Sequence, residues 1–204
     1  MKTIFLALIV VAALSACNSD KTVQLSADST KYEAVAKDLL IVPGESIGKI
    51  KLGQSITSLN EILGRPDAGD AAMGKEWGIW YEGDTTKNKK DEIAIYSAYT
   101  DSTMKEKSVK QIRITAEKYA TAEQLSTGNV RFDFKVKYPD FKKVATYFDT
   151  KLGDTIKLID SKSSGIAVEF LRGIGKAIMV HKKGEDVNTG YLTLHPEFKQ
   201  LPNN

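Results

Sequence analysis

The stretch Ile47-Gly-Lys-Ile-Lys-Leu-Gly-Gln-Ser-Ile-Thr-Ser-Leu-Asn-Glu-Ile-Leu-Gly-Arg-Pro-Asp67 decides how the rest of the chain is read. It reads as a short strand, a turn, one compact helix and a sharp stop. Ile47, Ile50 and Leu52 form an apolar edge, and Gly53 breaks it. Ser55 can then cap a helix in which Ile56, Leu59, Ile62 and Leu63 recur at helical spacing. Gly64 and Pro66 end that helix, because glycine accepts a left-handed C-terminal conformation and proline cannot continue the hydrogen-bond ladder.

Downstream, three segments alternate with period two and predict a β-meander. Over Glu76–Glu82 the alternation sets Trp77, Ile79 and Tyr81 against Gly78 and Trp80. Over Glu92–Tyr99 it sets Ile93, Ile95 and Tyr99 against Ala94, Tyr96 and Ala98, and over Val109–Thr115 it sets Ile112 and Ile114 against Gln111 and Arg113. One face is thus expected to cover the helix, and the other to be rich in small residues with Trp80 and Tyr96 standing up from it. The polar stretches Gly83–Asp91 and Thr100–Ser108 are expected hairpin tips.

The second half has a similar order. Gly128-Asn-Val-Arg-Phe-Asp-Phe-Lys-Val-Lys-Tyr-Pro-Asp140 corresponds to Gly53–Asp67, and strand candidates follow at 155–159, 165–172, 176–182 and 190–194. Strict alternation of Val130, Phe132, Phe134, Val136 and Tyr138 favours a strand where the first copy has a helix, while Phe141, Val144, Ala145 and Phe148 show helical spacing just beyond. The expectation is an α+β fold of two tandem repeats, residues 41–116 and 117–204, each with short helices packed on a small antiparallel meander sheet.

Upstream, residues 1–16 place one lysine before an apolar run and end on small residues, the layout of a secretory signal peptide. The run falls short of the roughly 20 apolar residues that a membrane span needs. Leu14-Ser-Ala-Cys17 resembles a bacterial lipobox, which implies diacylglyceryl transfer to Cys17 and cleavage before it; Cys17 is the only cysteine in the chain. Acyl chains contribute about 0.8 kcal/mol per buried CH₂, so together they anchor a domain to a bilayer. By the same resemblance, Asn18 in place of aspartate implies the outer membrane. Within residues 17–40, a polar tether is expected to lead into a short helix that begins at the Thr30–Glu33 capping box and packs through Tyr32, Val35, Ala36, Leu39 and Leu40.

Charge is nearly balanced, with 29 Lys and Arg against 26 Asp and Glu, one of the 29 being Lys2 in the leader. The lysines are scattered among acidic neighbours, whereas nucleic-acid binding calls for a basic stripe interleaved with stacking aromatics.

A lipobox followed by Ile-Gly-x-Ile-x-Leu-Gly-x-Ser…Leu-Gly-x-Pro-Asp, a meander and a diverged copy resembles lipoproteins of the SmpA/OmlA group, such as the small lipoprotein of the outer-membrane β-barrel assembly machine. It is similar also to the β-lactamase inhibitor protein and to uncharacterised lipoproteins of Bacteroidetes type. The resemblance implies helices on one face of a small antiparallel sheet and a job of binding proteins, with no cofactor.

Gly44-Glu-Ser46-Ile-Gly48 matches the G-x-S-x-G nucleophile elbow, and Asp186 and His195 follow in the chain order of a serine-hydrolase triad. The elbow requires a helix directly after the serine, and Ile47–Leu52 reads as strand, so a Pro43-Gly44 turn into the first strand is the plainer reading. His181 and His195 are the only histidines, and no metal-ligand spacing accompanies them. The expected function is therefore a lipid-anchored, non-catalytic module of the cell envelope that binds an envelope protein through Trp80, Tyr96, Arg113 and the Gly83–Asp91 loop. The alternatives are capture of a small ligand or peptide, and hydrolysis at Ser46.

Overall fold

The computed structural model describes residues 34–83, 90–190 and 195–202. Cys17, the leader and most of the tether lie outside these residues, as does the tip of the expected 83–91 loop. The chain enters as coil and makes a 3-10 turn, Lys37–Leu39, before strand β1, Leu40–Val42. The described part of the expected Tyr32–Leu40 helix is therefore coil, a single 3-10 turn and the first residue of a strand. No side chain caps the turn, and Leu40 is taken up by backbone pairing with Ala120.

The organising stretch folds as its residues dictate. Strands β2 (Ser46–Ile47) and β3 (Ile50–Lys51) pair antiparallel, and helix α1 follows over Ile56–Leu63. Ser55 is extended, and its hydroxyl accepts from the Ser58 amide at 3.1 Å. Gly64 ends the helix at φ 75°, in the half of backbone space open mainly to glycine. Leu59 on the inner face is fully buried.

Strands β4 (Ala68–Ala72), β5 (Lys75–Glu82), β6 (Asp91–Tyr99) and β7 (Lys107–Ile114) come next. After the short β8 (Ala120–Thr121) come helix α2 (Arg131–Lys137) and strands β9 (Lys142–Asp149), β10 (Asp154–Ser161), β11 (Ile166–Leu171) and β12 (Ile174–His181), with β13 (Phe198–Gln200) last. A four-stranded sheet has the order β3-β2-β1-β8, and a nine-stranded sheet the order β13-β9-β10-β11-β12-β7-β6-β5-β4.

This arrangement overturns the expected α+β pair of tandem helix-on-meander repeats. The molecule is mostly β, with two sheets and only two α-helices among the described residues. Antiparallel pairing of β12 with β7, Ile178 opposite Ile114 and Val180 opposite Ile112, makes the strands of both halves one sheet. Neither half closes its own.

Residues 130–149 reverse both local expectations. Val130–Tyr138 alternates like a strand yet forms α2, because the side chains that must be inside, Phe134 and Tyr138, are four apart. Phe132 and Val136 are left outward, 72% and 67% exposed. Phe141–Phe148, spaced like a helix, is drawn into β9 by the long edge of β10, with Ala145 opposite Leu158 and Tyr147 opposite Ile156. In both places the sheet edge and the core outweigh local periodicity.

Both faces of the large sheet are covered. On one, Trp80, Ile93, Ile95, Ile112, Ile114, Val168 and Ile178 pack with Ile41, Ile47, Leu59 and Phe134 from the small sheet and the helices. The two layers touch at Gly165, where an added Cβ would lie 2.4 Å from the His181 carbonyl oxygen and 2.7 Å from the Gly44 Cα. On the other face Trp77, Ile79, Ala94, Ala167, Met179 and Tyr147 pack with Val187 and Phe198 of the C-terminal segment.

Candidate functional site

The alternation within each strand is as the sequence suggests, but the register between strands changes which rings meet. Trp77 lies directly opposite Tyr96, and Trp80 opposite Ile93. The ring pair on the second face is accordingly Trp77 and Tyr96, with centroids 5.2 Å apart and planes tilted by 33°. Trp80 points the other way into the helix-covered core, and its indole N–H donates to the Gly64 carbonyl at 3.1 Å. It ties the end of α1 to β5, a structural duty in place of the expected partner contact. Tyr96 stays half-buried and in reach of solvent.

A cleft of about 290 Å³ opens beside this pair, bounded by Asp70, Met73, Glu76, Trp77, Tyr96 and Asn188. The adjoining strand β4 pairs with β5 alone and terminates the nine-stranded sheet. Four of its five residues, Gly69, Asp70, Ala71 and Ala72, are exposed, and all but Asp70 are small. Met73 and Gly74 at the tip have φ 49° and 76°, as a two-residue hairpin turn of the primed type requires at both central positions. The Met73 side chain is 99% exposed. Composition hides β4, since Ala, Gly and Asp are poor strand formers. The readable signal was a glycine two residues before an alternating run, which is hairpin spacing.

Arg113 is 3% exposed and spans the middle of the same face. Its guanidinium donates to Glu169 at 3.0 and 2.9 Å and to Glu92 at 2.7 Å. Burial alone would raise the Glu92 carboxyl; the hydrogen bond from His195 and the charges of Arg113 and His195 outweigh it and hold the group below the usual carboxylate range. His195 reaches Glu92 at 3.3 Å and stacks on Phe198 at 5.1 Å. Gln111 holds the returning segment by donating to the Asn188 carbonyl at 2.9 Å and accepting the Asn188 amide at 2.7 Å. The polar side chains of this face thus clamp the C-terminal segment onto the sheet. Arg113, expected on the surface, is enclosed by that clamp.

Ser46 sits in β2 between Val42 of β1 and Lys51 of β3, so Gly44–Gly48 forms turn, strand and turn, and no helix directly follows the serine. Both imidazoles bond elsewhere, His181 to Asp160 at 2.9 Å and His195 to Glu92. Among the described residues no group of three or more His, Cys, Asp or Glu side chains is arranged to hold a metal ion. No helix among them is long and apolar enough to cross a membrane. Comparison with models of protein families, with curated proteins and with solved structures returns no match for this chain.

Proposed function

We propose that this protein is a lipid-anchored, non-catalytic binding module of the cell envelope that takes up an extended segment of another envelope protein along β4. The carrying observation is the open outer edge of β4 beside the Trp77–Tyr96 cleft. A sheet edge presents a row of backbone N–H and C=O groups, and an extended peptide adds to it as a further strand. Edges are commonly protected by lysine, proline or a covering loop; β4 carries neither residue, and no strand pairs with its outer side among the described residues. Main-chain pairing would supply affinity, and one aromatic or long aliphatic side chain of the guest would enter the cleft and supply selectivity. Asp70, opposite Trp77 on the same face, favours a cation beside that side chain.

Photo-crosslinking in the native envelope tests this reading. A crosslinker at Ala71 is expected to yield one dominant adduct, and the same group at Phe132 on α2 is not. Asp70→Lys combined with Met73→Asp should abolish the Ala71 adduct and leave the melting temperature nearly unchanged, since both positions are exposed. Equal adducts at both sites, or none at Ala71, would sink it.

A further inference from the structure

The outer side of α2 carries a pattern that neither the core nor strand addition at β4 uses. Phe134 and Tyr138, four apart, face inward, and the opposite side of the helix presents Phe132 and Val136, also four apart. At about 3.6 residues per turn, Arg131 and Lys135 flank this apolar pair on one side and Lys137 on the other. Of the eight large apolar side chains exposed among the described residues, three, Val130, Phe132 and Val136, fall in this one short stretch. Single apolar residues on a surface are ordinary, whereas a cluster marks a place of contact.

The flanking charges indicate what covers it. Arg131 and Lys135 are exposed and hold no ion pair among the described residues. Lys137 pairs with Glu123, and Asp133, the acid of the helix, is half-buried beside Asn129. Protein interfaces are depleted in lysine, while helices that lie in a lipid interface set aromatic and aliphatic side chains beside Lys and Arg. The course of the chain agrees. Lys137 and Tyr138 at the end of α2 line a cleft together with Leu40–Pro43, so the helix borders the first strand, six residues after residue 34, where the described chain begins. Residues 17–33 can span at most about 60 Å. An acylated Cys17 would thus keep the fold near the bilayer, where a contact too weak to recruit a free protein suffices to orient a tethered one.

We infer that the outer side of α2 rests on an anionic phospholipid bilayer, with Phe132 and Val136 reaching the acyl boundary and Arg131 and Lys135 facing the lipid phosphates. The inference rests on the proposed acyl anchor and is independent of strand addition at β4. It leaves a crosslinker at Phe132 with lipid and without a protein adduct.

The test uses acylated full-length protein, its Cys17 modification verified by mass spectrometry, in vesicles containing phosphatidylglycerol. A nitrobenzoxadiazole probe is placed on Val136→Cys or, as control, on Met104→Cys; Cys17, acylated on sulfur, does not take it. Met104 is exposed on the turn between β6 and β7. Because Ile178 lies opposite Ile114 and His181 opposite Gln111, that turn is at the far end of the sheet from Ile174, which bridges Val130 at the start of α2. The probe at 136 should shift to the blue and be quenched by spin-labelled lipid, and the probe at 104 should do neither. Arg131→Glu with Lys135→Glu should lower the equilibrium constant for surface contact at least about 25-fold, about fivefold for each cation lost. Phe132→Ser should lower it about tenfold, and phosphatidylcholine vesicles should abolish the shift. No shift at 136 in an acylated chain overturns the inference. So do an equal shift in phosphatidylcholine, an equal shift at 104, and a dominant protein adduct at Phe132 in the native envelope, which would put a protein on this face. Absence of the acyl mass on Cys17 instead removes the anchor, and with it the reason for a bilayer here.

Discussion

The two faces of the nine-stranded sheet are built from the same strands and differ in every other residue. Ile112 and Ile114 point into one, Gln111 and Arg113 into the other. The first is closed by helices and a second sheet and holds aliphatic and aromatic side chains throughout. The second is closed by a returning segment of chain and holds Arg113, Glu92, Glu169, Gln111 and the His181–Asp160 pair. Burial on the first face is non-directional, so many sequences of similar volume would satisfy it. On the second, each group depends on a partner at a set distance, and loss of one partner strands the other in low dielectric. Stability and specification are thus divided between the faces, and the cleft beside β4 opens from the second.

The sharpest way to separate the two is to remove one member from each. Arg113→Ala should cost about 3–5 kcal/mol by leaving Glu92 and Glu169 buried together without their cation. Ile112→Ala on the apolar face should cost about 2–5 kcal/mol through lost contact and a cavity. In urea titrations the Arg113→Ala penalty should shrink as the pH is lowered into the carboxylate range, and the Ile112→Ala penalty should not. Equal pH responses would mean that the charge network is not what holds the second face.

A smaller effect isolates Glu92. Its carboxyl is lowered in the folded protein from an ordinary value near 4.5, so its contribution is fully present above about pH 4.5 and is lost as pH falls through the depressed folded value. Below pH 4.5 the wild type should therefore lose stability more steeply than Glu92→Gln, whatever offset the substitution brings at pH 7. Parallel curves would assign the acid sensitivity elsewhere. Smallest is Ser55→Ala on the helix side, about 1 kcal/mol from loss of the α1 cap, with no pH dependence. A loss several times larger would mean that α1 is held by its cap more than by Leu59 and Trp80.

Legibility followed the range of the forces involved. The cap at Ser55, the stop at Gly64, helix α1 and the centres of β5, β6, β7, β10, β11 and β12 rest on neighbours within a few residues, and the chain displays them. Helix α2 and strand β9 were misread because their periodicity misleads: Phe132 and Val136 are apolar yet outward, and Val144 and Phe148 sit on a strand whose partner determines its face. At the site, Tyr96 was legible as an amphipathic ring near solvent, but its mate was misassigned. Trp77 and Trp80 fall on opposite sides of one strand, and only the pairing of that strand with β6 decides which side is which.

From the residues alone came the local punctuation of the first half, the alternating strands, and the expectation of an acylated Cys17 behind a leader. Those depend on steps along a single chain, where spacing and residue type suffice. Only the folded molecule decided that both halves share one sheet, that Trp77 faces Tyr96, that Arg113 is enclosed between two glutamates, and that the end of α2 borders β1 across a cleft. Each is a meeting of segments far apart in sequence, selected by register and by what remained to be covered, and no local pattern carries that information.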